Sequence, residues 1–298
     1  MKKNFCVTTD TCADYFASEY KKLDIPFVHV KRVLNGEEIF EVYDSQEEYD
    51  AFYESLKTER PTTAATNETE FEEFFTKVLA EREGDIVHVC LSSGLSLTYD
   101  NALKAVENMK DKLGSRKIHI VDSLIATAGM AMQVEHLIEL RDKGVATEEA
   151  VASVINLRDH QQGWIVVSDL FHLKRGGRIS GVKAMLGTVL GMKPILHVAK
   201  SGKVVIENKK MGVKKSVAYI MDKIKELGEK AKEKFVESPL YIIRTTICDA
   251  YIELKKAIKE KYPTIKIKEG IIGPTLGTHS GPSACCVLWQ GAPRLDIK

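Results

Sequence analysis

The chain has 298 residues, enough for two modest domains or one large one, and at 44% hydrophobic and 29% charged residues it has a globular composition, not a disordered or fibrous one. Its 43 Lys and Arg against 42 Asp and Glu leave a formal charge of +1, with no basic excess to neutralise a phosphate backbone, so no nucleic acid partner is expected. No apolar run reaches the roughly 18 residues of a membrane span, and Phe5-Cys6-Val7 is too short for a signal-peptide core, so a cytoplasmic protein is expected. The six cysteines form no C-x-x-C pair, which points to reduced thiols and to neither a disulfide framework nor a zinc site.

A short strand is predicted over 4–7, ending in the polar loop Thr8-Thr9-Asp10-Thr11-Cys12-Ala13-Asp14 before a helix. Asp10 and Asp14 fit loop and capping roles better than a metal site. A second strand follows over 25–30, and Asn35-Gly36 marks a two-residue hairpin that turns 27–33 back through 38–42. Asp44-Ser45-Gln46-Glu47 opens a helix carrying Tyr49, Phe52, Tyr53 and Leu56 at helical spacing. The hydroxyl-rich stretch 60–67 breaks that period. Phe71, Phe74, Phe75, Val78 and Leu79 then give the next helix a wide apolar face, which is core before it is anything else.

Ile86-Val87-His88-Val89-Cys90 reads as a strand running through Leu91-Ser92-Ser93-Gly94 into a helical pattern. Such a junction gathers unpaired helix amides, serine hydroxyls and a glycine free to take positive φ, a combination suited to an anionic oxygen-bearing group. Taken alone, ordinary helix capping explains the same residues. A strand over 118–121 ends in Asp122-Ser123, a largely apolar helix follows over 125–140, and Thr147 starts another. This alternation specifies a mostly parallel sheet whose ligands sit at the carboxyl ends of the strands, where the polar loops lie.

A second unit begins near Gly163 with a strand over 164–167, followed by the basic stretch Leu173-Lys174-Arg175-Gly176-Gly177-Arg178-Ile179-Ser180 and a small-residue helix over 182–190. Residues 194–198 and 203–208 form a hairpin through Ser201-Gly202, and a Lys- and Glu-rich helix runs to Lys234. Strands over 240–244 and 266–272 enclose a helix, and a final strand covers 285–289. Before that strand, the Gly- and Pro-rich segment around His279 has too few side chains for a helix or a core. The fold class is α/β in two domains, 1–162 with a mostly parallel sheet and 163–298 with a mixed sheet.

Three chemistries compete. Ser93 and His279 are the residue types of a serine-dependent acyl hydrolase, but Gly94-Leu95-Ser96-Leu97-Thr98 fails the G-x-S-x-G pattern and no acid is marked as a third member. Gly187-Thr188-Val189-Leu190-Gly191-Met192-Lys193 lacks P-loop spacing and no G-x-G-x-x-G follows a strand, so ATP hydrolysis by this chain is not expected. Arg175 and Arg178 suit a phosphate-binding regulator, or a plain surface loop. The glycines around His279 remove the bulk that would keep a ligand away.

Thr9-Asp10 with Ala13-Asp14, Ser92-Ser93-Gly94-Leu95-Ser96, Val121-Asp122-Ser123, the 173–180 stretch, Lys193-Pro194-Ile195 and Gly277-Thr278-His279-Ser280-Gly281-Pro282 together resemble the DegV family of fatty-acid-binding proteins. The matches fall in the family's order and cover almost the whole chain. The resemblance implies two α/β domains with one fatty acid buried at their junction. Its carboxylate would be held by Thr63, Ser93 and His279, with Thr62 and Ser92 as the alternatives one residue away, and Arg175 would lie near the opening at a partner contact. The resemblance further implies a non-catalytic carrier, the acyl-carrying subunit of fatty acid kinase, whose separate catalytic chain phosphorylates the bound carboxylate with ATP. It implies no catalytic residue, metal or cofactor other than the bound fatty acid, and transient membrane contact for lipid exchange.

The family's Thr-Ser-Gln-Pro-Ser loop appears here as Thr63-Ala64-Ala65-Thr66-Asn67, Leu97 replaces a glycine, and Thr11-Cys12 stands where Ser-Thr is common. The physics of such a ligand is simple. Each buried methylene contributes about 0.8 kcal/mol, so about fifteen offer on the order of 12 kcal/mol before association costs. A dry, unpaired carboxylate would cancel several kcal/mol of that, so hydroxyl donors must meet it.

Overall fold

The computed structural model describes residues 3–168, 170–179, 191–231, 235 and 238–294. The helix predicted over 182–190 and the end of the one predicted to reach Lys234 lie outside these residues. The chain divides into two compact units, Met1–Ser45 with Pro61–Arg158, and Gln46–Arg60 with Asp159–Lys298. In chain order the described elements are β1 (Phe5–Asp10), α1 (Ala17–Lys22), β2 (Phe27–Val28), β3 (Lys31–Leu34), β4 (Glu37–Ile39), α2 (Gln46–Ser55), β5 (Thr62–Ala64), α3 (Glu68–Glu81), β6 (Asp85–Cys90), α4 (Thr98–Asn108), β7 (Ile118–Asp122), α5 (Ala128–Asp142) and α6 (Thr147–Asp159). They continue with β8 (Gln161–Val166), α7 (Phe171–Gly176), β9 (Met192–Val198), β10 (Val204–Met211), α8 (Gly212–Glu229), β11 (Leu240–Arg244), α9 (Asp249–Lys261), β12 (Ile267–Ile271), α10 (Pro274–Ser280) and β13 (Cys285–Gln290).

The first unit is built on a four-stranded, wholly parallel sheet in the order β2-β1-β6-β7. Side chains alternate along β6. Ile86 and Cys90 face the helices α3 and α4, where they pack with Phe71, Phe75 and Val78, while Val87 and Val89 are buried on the opposite face. The apolar stripe read from the sequence is therefore the α3 core: Phe71 and Phe75 are fully buried and Phe74 and Leu79 pack at its margin. Asn67 caps α3 by accepting from Glu70 N at 3.0 Å, and the Glu70 carboxylate accepts from Asn67 N at 2.8 Å.

Several predicted boundaries move, each for a local reason. β1 runs through Thr8, Thr9 and Asp10, which were expected in a loop, because all three are buried and the two hydroxyls find partners on β6. Thr9 Oγ1 donates to Val89 O at 2.8 Å, and Thr8 Oγ1 shares a 2.9 Å hydrogen bond with His88 Nδ1. The strand expected over 25–30 shrinks to Phe27–Val28, since Val30 N leaves the sheet to donate to Thr11 Oγ1 at 3.0 Å. The hairpin forms as expected between β3 and β4, with Asn35 and Gly36 at φ 54° and 88°. The stretch 60–67 is not merely a break: its β-branched threonines form β5, antiparallel to β3, and complete a separate three-stranded sheet β4-β3-β5. α5 starts at Ala128 instead of Ile125 because Leu124 and Thr127 adopt φ 50° and 57° in an irregular turn.

The second unit carries a six-stranded mixed sheet in the order β10-β9-β8-β13-β11-β12, antiparallel except for β11 and β12. Its core joins Trp164, Ile195, Ile242, Val287 and Trp289 of the sheet to Val217, Ile220 and Ile224 of α8 and Leu254 and Ile258 of α9. α2 belongs to this unit. Tyr53 Oη donates to Ile272 O at 2.6 Å, and Arg244 Nη2 donates to Gln46 Oε1 at 3.0 Å. The segment around His279, expected to form neither helix nor core, is the helix α10. Pro274 supplies a preset first turn, Thr278 Oγ1 donates to Pro274 O at 2.9 Å, and most of the helix is buried. Gly277 makes that burial possible, because a Cβ there would stand 2.6 Å from Tyr53 Oη and 2.7 Å from Phe52 Cε1. Among the described residues, no helix is long and apolar enough to cross a membrane.

Candidate functional site

In the first unit the carboxyl ends of β1, β6 and β7 are tied together by two carboxylates. Asp10, fully buried, accepts from Leu91 N at 2.6 Å through Oδ2 and from Cys12 N at 2.9 Å through Oδ1. Burial pushes its carboxyl up to about 6, against the pull of those two backbone donors. Asp122, at the end of β7, accepts through Oδ1 from Ser93 N at 3.0 Å and from Leu124 N at 3.1 Å. The start of the loop after β6 is thus held by two carboxylates from the neighbouring strand ends.

The predicted serine pair occupies this loop, but not as the first turn of a helix. α4 starts at Thr98, and Ser96 Oγ is the hydroxyl that accepts from Thr98 N, at 3.2 Å. Gly94 is not among the residues with positive φ; instead its N–H donates to Ser92 Oγ at 3.1 Å, folding the turn inward. Ser92 is fully buried and its N–H donates to Ile125 O at 3.2 Å, whereas Ser93 is exposed. Of the two, Ser93 is the one presented for contact. Thr62 and Thr63 lie on β5, Thr62 exposed and Thr63 half-buried, with Thr63 opposite Arg32 of β3. Lys31 of the same strand bonds Glu70 of α3 at 2.6 Å and Glu38 of β4 at 2.9 Å, fixing this small sheet to the helix.

The second unit brings His279 and Arg175 together. α7, predicted as a loop, is a short helix closed by Gly177 at φ 68°, and it lies against α10. Arg175 Nη2 donates to Thr278 O at 3.4 Å, and Gly176 lets the His279 ring approach so closely that a Cβ would stand 2.0 Å from Nδ1. Burial first, then the Arg178 and Arg175 guanidinium groups, lowers the imidazole to about 4. At neutral pH His279 is therefore a neutral donor and acceptor, and the positive charge of this group resides on the two arginines. Burial and the nearby Arg60 push the Arg175 guanidinium below its ordinary value.

One set of metal-ligand types occurs among the described residues. Asp10, His88 and Cys90 place their ligand atoms within 4.8 Å of one another, all buried. Both Asp10 oxygens accept backbone N–H groups, His88 Nδ1 bonds Thr8, and burial lowers the His88 imidazole to about 3 and raises the Cys90 thiol. This arrangement is a packed structural network, with the His88 ring set among Phe71, Phe74 and Phe75.

Fold and site define an α/β protein with polar loops gathered at the carboxyl ends of a parallel sheet in one unit, and an imidazole beside two guanidinium groups in a mixed-sheet unit. The chain belongs to the DegV family: the family model described as "Uncharacterised protein, DegV family" matches residues 4–291. A DegV domain-containing protein of Clostridium perfringens is 30% identical over 291 residues, covering 97% of this chain and 98% of that protein.

Among solved structures, the fold is similar to a DegV family protein of Thermus thermophilus described by its fatty acid binding, with a TM-score of 0.83, 23% identity, and 96% of this chain and 99% of that one covered. It is also similar to DegV of Bacillus subtilis, described as a fatty acid binding protein, with a TM-score of 0.80, 24% identity and coverage of 97% and 100%. A stearic acid-binding protein of Eubacterium ventriosum gives a TM-score of 0.82 at 17% identity, with coverage of 97% and 98%. At these identities the shared property is the fold.

Proposed function

We propose that the chain is a carrier that binds one long-chain fatty acid in a buried tunnel and presents its carboxylate to a separate kinase chain for acyl phosphate formation. The observation that carries this reading is membership of a family whose solved, similarly folded proteins are described as binding fatty acids. Thr63, Ser93 and His279 are proposed to hold the carboxylate, Arg175 to face the partner, and the bound fatty acid to be the only small-molecule requirement. The exposure of Ser93 next to a buried Ser92 supports Ser93 over Ser92.

A neutral imidazole suits the role. It hydrogen-bonds a carboxylate without the desolvation cost of a second buried charge, and the adjacent arginines favour an anion electrostatically. The same lowered basicity argues against the serine hydrolase, because a base titrating near 4 is poorly matched to removing a proton from serine at neutral pH. Lipid extraction of the purified protein followed by mass spectrometry tests the proposal. A stoichiometric long-chain fatty acid is expected, whereas lipid-free protein that turns over a chromogenic ester in a Ser93-dependent manner would overturn it.

A further inference from the structure

The loop after β6 offers an incoming oxygen less than its composition suggests, because its backbone donors are already used. Leu91 N donates to Asp10 Oδ2 at 2.6 Å, Ser92 N to Ile125 O at 3.2 Å, and Ser93 N to Asp122 Oδ1 at 3.0 Å. Gly94 N goes to Ser92 Oγ at 3.1 Å, and Leu95 N and Ser96 N both reach Ser92 O, at 3.0 and 3.2 Å. Every amide from Leu91 to Ser96 therefore has an acceptor within the first unit, and no pair of them is left to form an oxyanion hole. What the loop still offers is a side chain. Ser96 Oγ is shared with Thr98 Oγ1, but Ser93 is exposed and its hydroxyl makes no hydrogen bond among the described residues.

A single hydroxyl turns between rotamers, so its use as a donor depends on what fixes the backbone beneath it. For Ser93 that is Asp122. One carboxylate oxygen can accept two N–H groups, and Oδ1 holds Leu124 N at 3.1 Å as well as Ser93 N, closing an Asx turn in which Leu124 takes φ 50°. The turn is itself anchored. Ser123 N donates to Cys90 O at 3.1 Å, Gln133 Nε2 to Ser123 O at 3.0 Å, and Arg158 Nη1 to Asp122 O at 3.2 Å. The loop after β7 thus orients the carboxylate, and the carboxylate orients Ser93.

We infer that Asp122 is a positioning residue of the head-group site: it takes the Ser93 N–H and fixes that backbone, so that the Ser93 hydroxyl is what this loop presents to the fatty acid carboxylate. This role rests on the proposed assignment of Ser93 to that carboxylate. Asp122 acts only through Ser93, so its effect on binding should vanish when the hydroxyl is absent, which a general support of the fold would not do. Asparagine keeps a carbonyl oxygen where Oδ1 stands. Serine can still close the turn on Leu124 N but is one atom shorter toward Ser93 N.

Displacement of a fluorescent fatty acid by oleate, on the full-length protein, tests the role. Asp122→Ala should weaken oleate binding at least about fivefold, Asp122→Asn should restore it to within about twofold of wild type, and Asp122→Ser should match Asp122→Ala. In a Ser93→Ala background, Asp122→Ala should add less than about twofold. Urea unfolding of each variant reports on the fold, and if Asp122→Ala does not fold, Asp122→Ser takes its place in both comparisons. Losses that multiply in the double variant, or wild-type affinity in Asp122→Ser beside a weakened Ser93→Ala, would overturn the role. Wild-type affinity in Ser93→Ala would instead overturn the head-group assignment, and this role with it.

Discussion

Gly176 and His279 touch across two short helices, so closely that a methyl group on the glycine would lie 2.0 Å from the imidazole Nδ1. The ring is therefore positioned by the absence of a side chain on α7 as much as by α10. Gly176→Ala should displace it. If His279 holds the carboxylate, the variant should lose on the order of tenfold in fatty acid retention, the worth of about one hydrogen bond to a charged group. Competition with a fluorescent fatty acid checks this. Retention unchanged from wild type would remove His279 from the head-group site.

Ser93→Ala and Thr63→Ala each delete one hydroxyl from exposed or half-buried backbone near loops. Each should weaken retention by about 1.5–3 kcal/mol while unfolding free energy changes by less than ~1 kcal/mol. Native mass spectrometry and urea denaturation of the single and double variants give the two numbers. Full occupancy in the double variant would refute the assignment.

The titration of His279 offers a spectroscopic check. Its imidazole sits at about 4 in the folded chain, below its ordinary value, so its contribution to stability is present above pH 6.5 and is lost as the pH falls toward 4. Adding a carboxylate partner should raise that midpoint, because a nearby anion favours the protonated ring. Histidine NMR of lipid-free and lipid-loaded protein should show the upward shift; coincident curves would separate the ring from the ligand.

Asp10 behaves in the opposite sense. Its carboxyl, raised from 3.8 to about 6, favours folding below pH 3.8 and loses that contribution as the pH rises through 6, a change of about 3 kcal/mol. The stability of wild type relative to Asp10→Asn should therefore fall by about that amount between pH 4 and pH 7. Urea unfolding at the two pH values measures it. The His279 contribution is common to both proteins and cancels.

Much of this fold could be read from the chain because its periodic signals coincide with its packing. The Phe71, Phe75 and Val78 stripe, the Asn35-Gly36 turn and the β-branched run at Ile86 became the elements they suggested. The misreadings share a cause: long-range partners outweighed local composition. Thr8 and Thr9 look like loop residues until β6 supplies their hydroxyl partners. Gly277 looks like a helix breaker until Tyr53 and Phe52 pack against it, and Pro274 until it takes the first turn of α10. The head-group candidates were legible as residue types. Asp10 was read as a loop and capping residue, and it does cap Cys12 N, but its bond to Leu91 N and that of Asp122 to Ser93 N were not foreseen, since nothing local marks a carboxylate that will accept N–H groups from another strand's end.

Arg175→Ala separates carrying from presenting. The side chain is exposed, donates to the Thr278 carbonyl at a long 3.4 Å, and carries a charge that solvent screens, so with Arg178 still in place lipid retention should stay within about twofold of wild type. Acyl phosphate formation with the proposed kinase partner should drop at least tenfold. Parallel loss of both would make the residue structural.

The most direct measurement is native mass spectrometry of the protein purified from several expression hosts. The account predicts one long-chain fatty acid per chain, released on denaturation and regained on incubation with free fatty acid. Chains of bare polypeptide mass from every host that take up no fatty acid on incubation would contradict it.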